Sequence, residues 1–498
     1  MTPLLMLLPL VTTQAKPFPV IPIPNTVAGG TERPFGRKGQ LNIACPEPCV
    51  FESRAAMKLL KKAGFTVTLR TSKADPGLKA EGYRLTTRPG SIDIQAHDAA
   101  GVYYAVQTLR QLLPAGIERG SVKQATLGSY SIEDAPKFPW RGMLLDTSRH
   151  FFTTAEVKQD LDLLAMQKMN VFHWHLTDDG GWRIQIKKYP NLTRQGAWRV
   201  ANPNPEEKKS DLWDWQKLRF PAPGSKAKKY GGFYTQEEIR DVVRYAAQRH
   251  ITVVPEIEMP GHSLAVVSSY PELGCTVSDA EYKKASSMSG KNVWCAGKEK
   301  TFSFIQDVLD EVFDLFPSKV VHIGGDEVDK YLWNHCDDCQ KRMKTEGLKD
   351  AEELQSYFIK RIDKYVASKG RRLMGWDEIL QGGLAPNAMV MSWRGTTGGI
   401  AAAQANHDVV MTPTSHCYFD YSYSQISTDH VLSFEPVPAA LTGASASHVL
   451  GGQCNLWTEW VPNQKTAQQR LFPRLLAMSE VLWSGSGSPD NFQPRLDT

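Results

Sequence analysis

A chain of 498 residues with 41% apolar and 22% charged residues has ample material for a packed core, which excludes a disordered or low-complexity protein. Its net charge of +5 is spread over 58 basic and 53 acidic residues without long Lys or Arg runs, which argues against a nucleic-acid or anionic-membrane partner. No stretch reaches the ~20 apolar residues that a membrane span needs.

Residues 1–15 carry an apolar run, Leu4 to Val11, followed by Thr12-Thr13-Gln14-Ala15. That is the form of an export signal, without the usual preceding Lys or Arg, so an exported (periplasmic, secreted or cell-surface) protein is expected. Residues 16–137 read as a supporting α+β domain. Pro17, Pro19, Pro22 and Pro24 make an extended entry, Ala55 to Ala63 and Gly101 to Leu113 are helical, and Phe65 to Leu69, Tyr83 to Leu85 and Ile92 to Ile94 are strands. This region carries no acid pair, metal motif or phosphate loop. Pro136 and Pro139 mark its end.

From 138 to 498 strand and helix alternate. Met143 to Asp146 is a strand ending at Arg149-His150, and Thr153-x-x-Glu156 is a capping box that opens a helix. Strand Asn170 to Leu176 ends at Thr177-Asp178-Asp179-Gly180. A long connection, 198–232, contains Trp213 and Trp215; a connection of that length is expected to be functional or disordered. The short basic clusters Lys208-Lys209 and Lys226 to Lys229 lie in it and read as solvated. Thr235-x-x-Glu238 is a second capping box. Strand Ile251 to Ile257 ends at Met259-Pro260-Gly261-His262. Helix Phe302 to Phe313 leads to Val320-Val321-His322-Ile323-Gly324-Gly325-Asp326-Glu327, and helix Leu354 to Val366 to Arg371 through Glu378. Ala388 to Ser392 ends at Trp393-Arg394, Val409 to Met411 at Thr412 to Tyr421, and Val449 to Cys454 at Asn455 to Glu459. Eight strands alternating with helices predict a closed parallel (β/α)8 TIM barrel, whose chemistry sits at the C-terminal strand ends. An open doubly wound sheet is the alternative, but no G-x-G-x-x-G follows a strand.

The acid pair is the centre of the chemical reading. Successive strand residues face opposite ways, so Asp326 and Glu327 can serve one site only where Gly324 and Gly325 let the backbone turn. Such a tip suits proton transfer with charge stabilisation; the bland alternative is a solvated acidic turn. Trp376, Trp393 and Trp457 arrive from three other strand ends. Aromatic faces among carboxylates suit a sugar ring. The inventory calls for no cofactor. Of eight cysteines, Cys275 and Cys295 bracket a loop and are the expected disulfide. Cys336-x-x-Cys339, beside His335, supplies at most half of a zinc set whose other ligands are not evident. Cys417 and Cys454 read as buried thiols.

From Trp140 to Trp483 the chain resembles the family 20 glycoside hydrolases, the β-N-acetylhexosaminidases. The matching stretches, in family order, are Arg141-Gly142, Arg149-His150-Phe151, His173-Trp174-His175-Leu176-Thr177-Asp178-Asp179, Pro255-Glu256-Ile257, Pro260-Gly261-His262, His322 to Glu327, Gly375-Trp376-Asp377-Glu378 and Leu456-Trp457-Thr458-Glu459. The resemblance implies exo-hydrolysis of terminal β-linked N-acetylglucosamine or N-acetylgalactosamine from glycans, with the substrate's acetamido oxygen as nucleophile, a departure from the two-carboxylate scheme. It makes Glu327 the general acid and base. Asp326 is the partner of the acetamido N–H, and Tyr418, with Tyr421 and Tyr423 close by, the donor to its oxygen. The resemblance also makes Trp376, Trp393 and Trp457 the pocket wall, Arg149, Asp420 and Glu459 the hydroxyl binders, and Asp178 and His262 supports for Glu327. Three rivals stay open: a glycosidase with Glu378 or Glu459 as protein nucleophile, a non-catalytic carbohydrate binder, and a metal-dependent hydrolase using His173, His175 and Asp178.

Overall fold

The computed structural model describes residues 18–30, 33–201, 220–221, 225–285, 293–485 and 487–497. The expected export segment, Pro17, the Lys208-Lys209 cluster and Trp213 and Trp215 lie outside the described residues.

The N-terminal region is a six-stranded sheet in the spatial order Thr26–Gly30, Ser129–Asp134, Tyr83–Arg88, Ser91–Ala96, Lys38–Ala44, Thr66–Ser72. The first four pair antiparallel and the last two join in parallel. Helices Val50–Lys62 and Ala99–Gln111 pack on it, the second capped by Asp98, which accepts from the Gly101 N–H. Three of these strands, Thr26–Gly30, Lys38–Ala44 and Ser129–Asp134, go beyond the sequence reading. They are polar or glycine-bearing and partly exposed, so they carry little of the alternation that marks a half-buried strand.

Eight parallel strands then close into a barrel: Trp140–Asp146, Val171–His175, Thr252–Glu256, Val320–His322, Arg372–Trp376, Met389–Ser392, Val409–Met411 and Val449–Leu456, the last pairing back to the first. Each lies where the sequence places it. Their near-complete burial on both faces explains the continuous apolar runs. The period of two sorts the side chains. Leu144, Val171, Val254, Met374, Met391 and Val410 fill the interior. Their neighbours Met143, Leu145, Phe172, Trp174, Val253, Leu373 and Val390 face the helices. Both capping boxes form: Thr153 and Thr235 each accept from the backbone N–H three residues on, and Glu156 and Glu238 reach back. The ends of the long connection are not loose. Trp198–Val200 pairs antiparallel with Lys229–Gly231.

A buried polar junction joins the two regions. The Arg141 guanidinium donates to the Lys168 carbonyl at 2.8 Å, the Phe138 carbonyl at 2.9 Å and Glu81 at 2.5 Å. The Lys168 ammonium meets Asp134 at 2.9 Å, and Trp483 donates to the same carboxylate at 2.9 Å. Every charge brought out of water here has a partner, as burial requires.

One expectation is overturned. Cys275 and Cys295 do not form a disulfide; both thiols are free, because the Cys336 and Cys339 sulfurs share their space. Cys417 and Cys454 are buried free thiols.

Candidate active site

The strand Val320–His322 stops, and the backbone reverses through Gly324 at φ +71°, Gly325 at +94° and Glu327 at +46°. A Cβ on Gly324 would lie 1.7 Å from a Glu258 carboxylate oxygen, and one on Gly325 2.6 Å from Ile379. The two glycines are therefore required for both conformation and space. Glu327 in the left-handed region is uncommon for a residue with a side chain, and His262 shares it at φ +44°. The two strained residues face each other: His262 Nε2 is 3.4 Å from Glu327 Oε2 and 3.7 Å from Asp326 Oδ2.

Behind His262, its Nδ1 is 3.1 Å from Asp179 and 3.5 Å from Asp178. Burial opposes a charge on this imidazole, but Asp178, Asp179, Glu327 and Asp326 outweigh it and hold its pKa well above the ordinary value. The hydrogen bond from His262 in turn keeps Glu327 below the usual carboxylate range. Asp326 goes the other way. Burial pushes it up to about 6, and its Oδ1 is buried with no hydrogen-bond partner among the described residues. Glu258, behind the turn, is held well above its ordinary value by burial and then by Asp326.

The pair opens on a cavity of about 480 Å³. Trp376, Trp393, Trp457 and Tyr418 wall it. The Trp393 and Tyr418 rings stack at 6.1 Å, and Trp376 and Trp457 lie 5.8 Å apart. Buried acceptors fix two of the indoles. Trp376 donates to Glu256 at 3.0 Å and Trp393 to Glu378 at 2.9 Å. Arg149, Asp420 and Glu459 form the other end. Arg149 is tied to Asp178 at 2.8 Å and Asp146 at 3.3 Å, lies 3.6 Å from Glu459, and sits over the Trp457 ring at 5.0 Å. Asp420 Oδ1 is a second buried acceptor without a partner among the described residues. Burial, then Glu459, holds that carboxyl well above its usual range.

The structure thus brings Arg149, His262, Asp326, Glu327, Trp376, Trp393, Tyr418, Asp420, Trp457 and Glu459 to one cavity, with Asp178 one layer behind. Of the neighbouring tyrosines, Tyr421 stands at the rim, while Tyr423 turns away and donates to the Phe472 carbonyl at 2.5 Å. Sequence reasoning missed Asp179, Glu256 and Glu258 beneath the site, and Gln425, Trp460 and Arg470 at its mouth. The first three lie in or beside quoted motifs, so the available signal was their position at strand ends.

Under the cavity the Glu256 carboxylate is surrounded by imidazoles: His175 Nδ1 at 2.5 Å, His322 Nδ1 at 2.8 Å and His173 Nε2 at 3.1 Å. Burial alone would raise Glu256, but these three hold it well below its ordinary range. His175 is raised to about 10, against burial, by Glu256 and Asp178, whereas burial lowers His173 to about 4. Both His175 nitrogens are engaged, one by Glu256 and the other by Asp178 at 2.9 Å. His173 faces Glu256 and His322 instead. His173, His175 and Asp178 therefore do not converge on one coordination point; each imidazole is committed to a carboxylate beneath the cavity.

Two family models cover the chain: the catalytic domain of glycosyl hydrolase family 20 matches residues 138–486, and domain 2 of the same family matches residues 18–135. A β-hexosaminidase of Porphyromonas gingivalis is 43% identical over 436 residues, 84% of this chain and 53% of that protein. The chain thus spans about half the length of that relative. A β-hexosaminidase of Akkermansia muciniphila is 30% identical over 471 residues, 91% of this chain and 88% of that protein. The structure of a Vibrio harveyi exo-β-N-acetylglucosaminidase solved with N-acetylglucosamine superposes with a TM-score of 0.83 at 31% identity, covering 97% of this chain and 77% of that one.

Proposed function

The chain belongs to glycosyl hydrolase family 20, and from that membership we propose that it is an exo-β-N-acetylhexosaminidase acting with retention by substrate assistance. One observation carries the reading: two adjacent carboxylates share a turn at the mouth of an aromatic-walled cavity, one 3.4 Å from the His262 imidazole and the other buried with an oxygen unpartnered among the described residues. A protein nucleophile would work against an acid across the sugar ring, with about 5–5.5 Å between the carboxyl groups. Adjacent acids suit a division of labour on one side of C1.

In the proposed reaction the terminal sugar fills the cavity with its acetamido group against Trp376, Trp393 and Trp457. Asp326 accepts the acetamido N–H through the oxygen left open in the free site. Tyr418 donates to the acetamido oxygen and fixes it for attack on C1. Glu327 gives its proton to the glycosidic oxygen as that bond breaks. The carbonyl oxygen bonds to C1, and Asp326 stabilises the resulting oxazolinium cation. Glu327 then takes a proton from water, which opens the ring and releases the β-hemiacetal. Arg149, Asp420 and Glu459 bind ring hydroxyls.

In the free site the shared proton belongs to His262, which keeps Glu327 ionised. Sugar entry excludes water from Glu327 and disfavours its charge, so the proton crosses the 3.4 Å to where it is needed. Asp178 and Asp179 hold the imidazole in place for that transfer.

The test is turnover of matched aryl glycosides. Aryl N-acetyl-β-glucosaminide should be cleaved and the aryl β-glucoside left intact. A sugar found covalently attached to Glu378 or Glu459 would overturn substrate assistance, and no turnover of either compound would favour a binding protein.

A further inference from the structure

The sulfurs of Cys275, Cys295, Cys336 and Cys339 lie within 4.8 Å of one another, at 3.8 Å for Cys275–Cys339, 3.8 Å for Cys295–Cys336 and 3.6 Å for Cys295–Cys339. A disulfide needs about 2.05 Å and joins sulfurs in exclusive pairs. Here Cys295 and Cys339 each approach two partners almost equally. Four thiolates at about 2.3 Å from a tetrahedral zinc stand roughly 3.8 Å apart, and these separations have that length. We infer that the four cysteines form a closed structural zinc site.

The chain is built to make that cluster. The Gly274 to Trp294 bridge sets Cys275 beside Cys295. Trp333 donates to the Trp294 carbonyl at 2.9 Å and brings up the segment that carries Cys336 and Cys339. A Cβ on Gly297 would lie 2.2 Å from the Asp338 carbonyl carbon, so a bare glycine permits the close approach. Cys295, Cys336 and Cys339 are fully buried. The Lys298 ammonium donates to the Gly274 carbonyl at 2.7 Å and to Thr276 at 3.1 Å, which pins the Cys275 turn and places a positive charge beside a site that would carry net negative charge. Zinc would displace the protons of the four thiols and take all four as thiolates. His335 is not a ligand. Its Nδ1 pairs with the Tyr331 carbonyl at 2.8 Å, and its Nε2 faces Glu281 at 3.6 Å.

With four protein ligands the site leaves no open position for catalysis. Its place in the fold indicates a staple. Cys275 and Cys295 lie on the segment that follows His262, where the Trp294 N–H bonds the Pro260 carbonyl at 2.9 Å. Cys336 and Cys339 lie on the segment that follows Glu327. The metal ties together the two loops that bring the imidazole to the acid.

The experiment is metal analysis by plasma mass spectrometry on the full chain purified without chelator, with thiol titration after denaturation in chelator. One zinc per chain and eight titrating thiols are expected. Cys295→Ser should lose the zinc and lower Tm, whereas Cys49→Ser should keep it. A chain that carries no zinc overturns the inference, and the thiol count then gives the reason: four thiols mean two disulfides, and eight mean a bare cluster. Zinc retained by both Cys295→Ser and Cys339→Ser would also overturn it. None of these readouts depends on the proposed activity.

Discussion

Replacing Asp326 with Asn should make the protein more stable above neutral pH and nearly inactive. The Asp326 side chain is 14% exposed, and burial lifts its pKa from 3.8 to about 6. Below pH 3.8 the carboxyl is neutral in both folded and unfolded chains. Above pH 6 it is charged in both, and only the folded chain resists the charge. Stability is therefore lost as pH rises from 3.8 to about 6, by roughly 1.4 kcal/mol for each pH step of one across that window, or about 3 kcal/mol in all. Asn carries no charge, and the unpartnered Oδ1 leaves no bond there to lose. The gap in Tm between Asp326→Asn and the parent should be positive at pH 8 and close at pH 4, read by scanning fluorimetry. Turnover of an aryl N-acetyl-β-glucosaminide should fall mainly in kcat, because in the proposed mechanism the anion acts on the cationic transition state. The acid limb of the parent's kcat/KM, set by Asp326 near pH 6, should vanish in the variant. An Asn variant no more stable than the parent at pH 8, or one with normal kcat, would refute the reasoning.

Glu327→Gln should cost ~10²–10⁴-fold on glycosides with poor leaving groups and far less on activated aryl glycosides; equal losses across a leaving-group series would remove Glu327 as the acid. Gly324→Ala should destabilise by ~2–5 kcal/mol in chemical denaturation, from the left-handed backbone and the overlap with Glu258 at 1.7 Å, and an unchanged midpoint would count against that requirement. His262→Phe removes the group that holds the transferable proton in the free site and leaves it to the more acidic Glu327 carboxyl, so the alkaline limb of kcat/KM should move to lower pH; a limb that stays put would place His262 outside the proton's path.

The barrel was readable because its strands are short, apolar and followed by chemistry-bearing tips, and because Thr153 and Thr235 announce two of its helices. The acid pair was readable for a local reason: two glycines before two acids make sense only at a turn. What escaped depends on where the backbone points. Asp178 and Asp179 are neighbours in sequence, and only the fold shows that Asp179 makes the 3.1 Å contact to His262 while Asp178 turns to Arg149 and His175. Glu256 reads as one acid in an apolar strand until the barrel closes His173, His175 and His322 around it. Cysteine partnership was the least legible feature, since Cys275 and Cys339 meet across 64 residues.

Asp326 Oδ1 and Asp420 Oδ1 are buried acceptors at the cavity with no donor among the described residues. A sugar that supplies a donor to each adds two bonds within the site, so binding should couple to stability. A ligand at 100 times its Kd raises stability by roughly 2.7 kcal/mol whatever its contacts, so the informative comparison is between two sugars at one concentration. In the proposed pose N-acetylglucosamine would bring hydroxyls to Asp420 and an N–H to Asp326, whereas glucose would bring only the hydroxyls. N-acetylglucosamine should therefore raise Tm well above the shift given by glucose, and the difference should shrink in Asp326→Leu, which leaves no acceptor for the N–H, but persist in Asp420→Asn. Equal shifts for the two sugars in the parent protein would mean that the open oxygen of Asp326 does not receive the acetamido group.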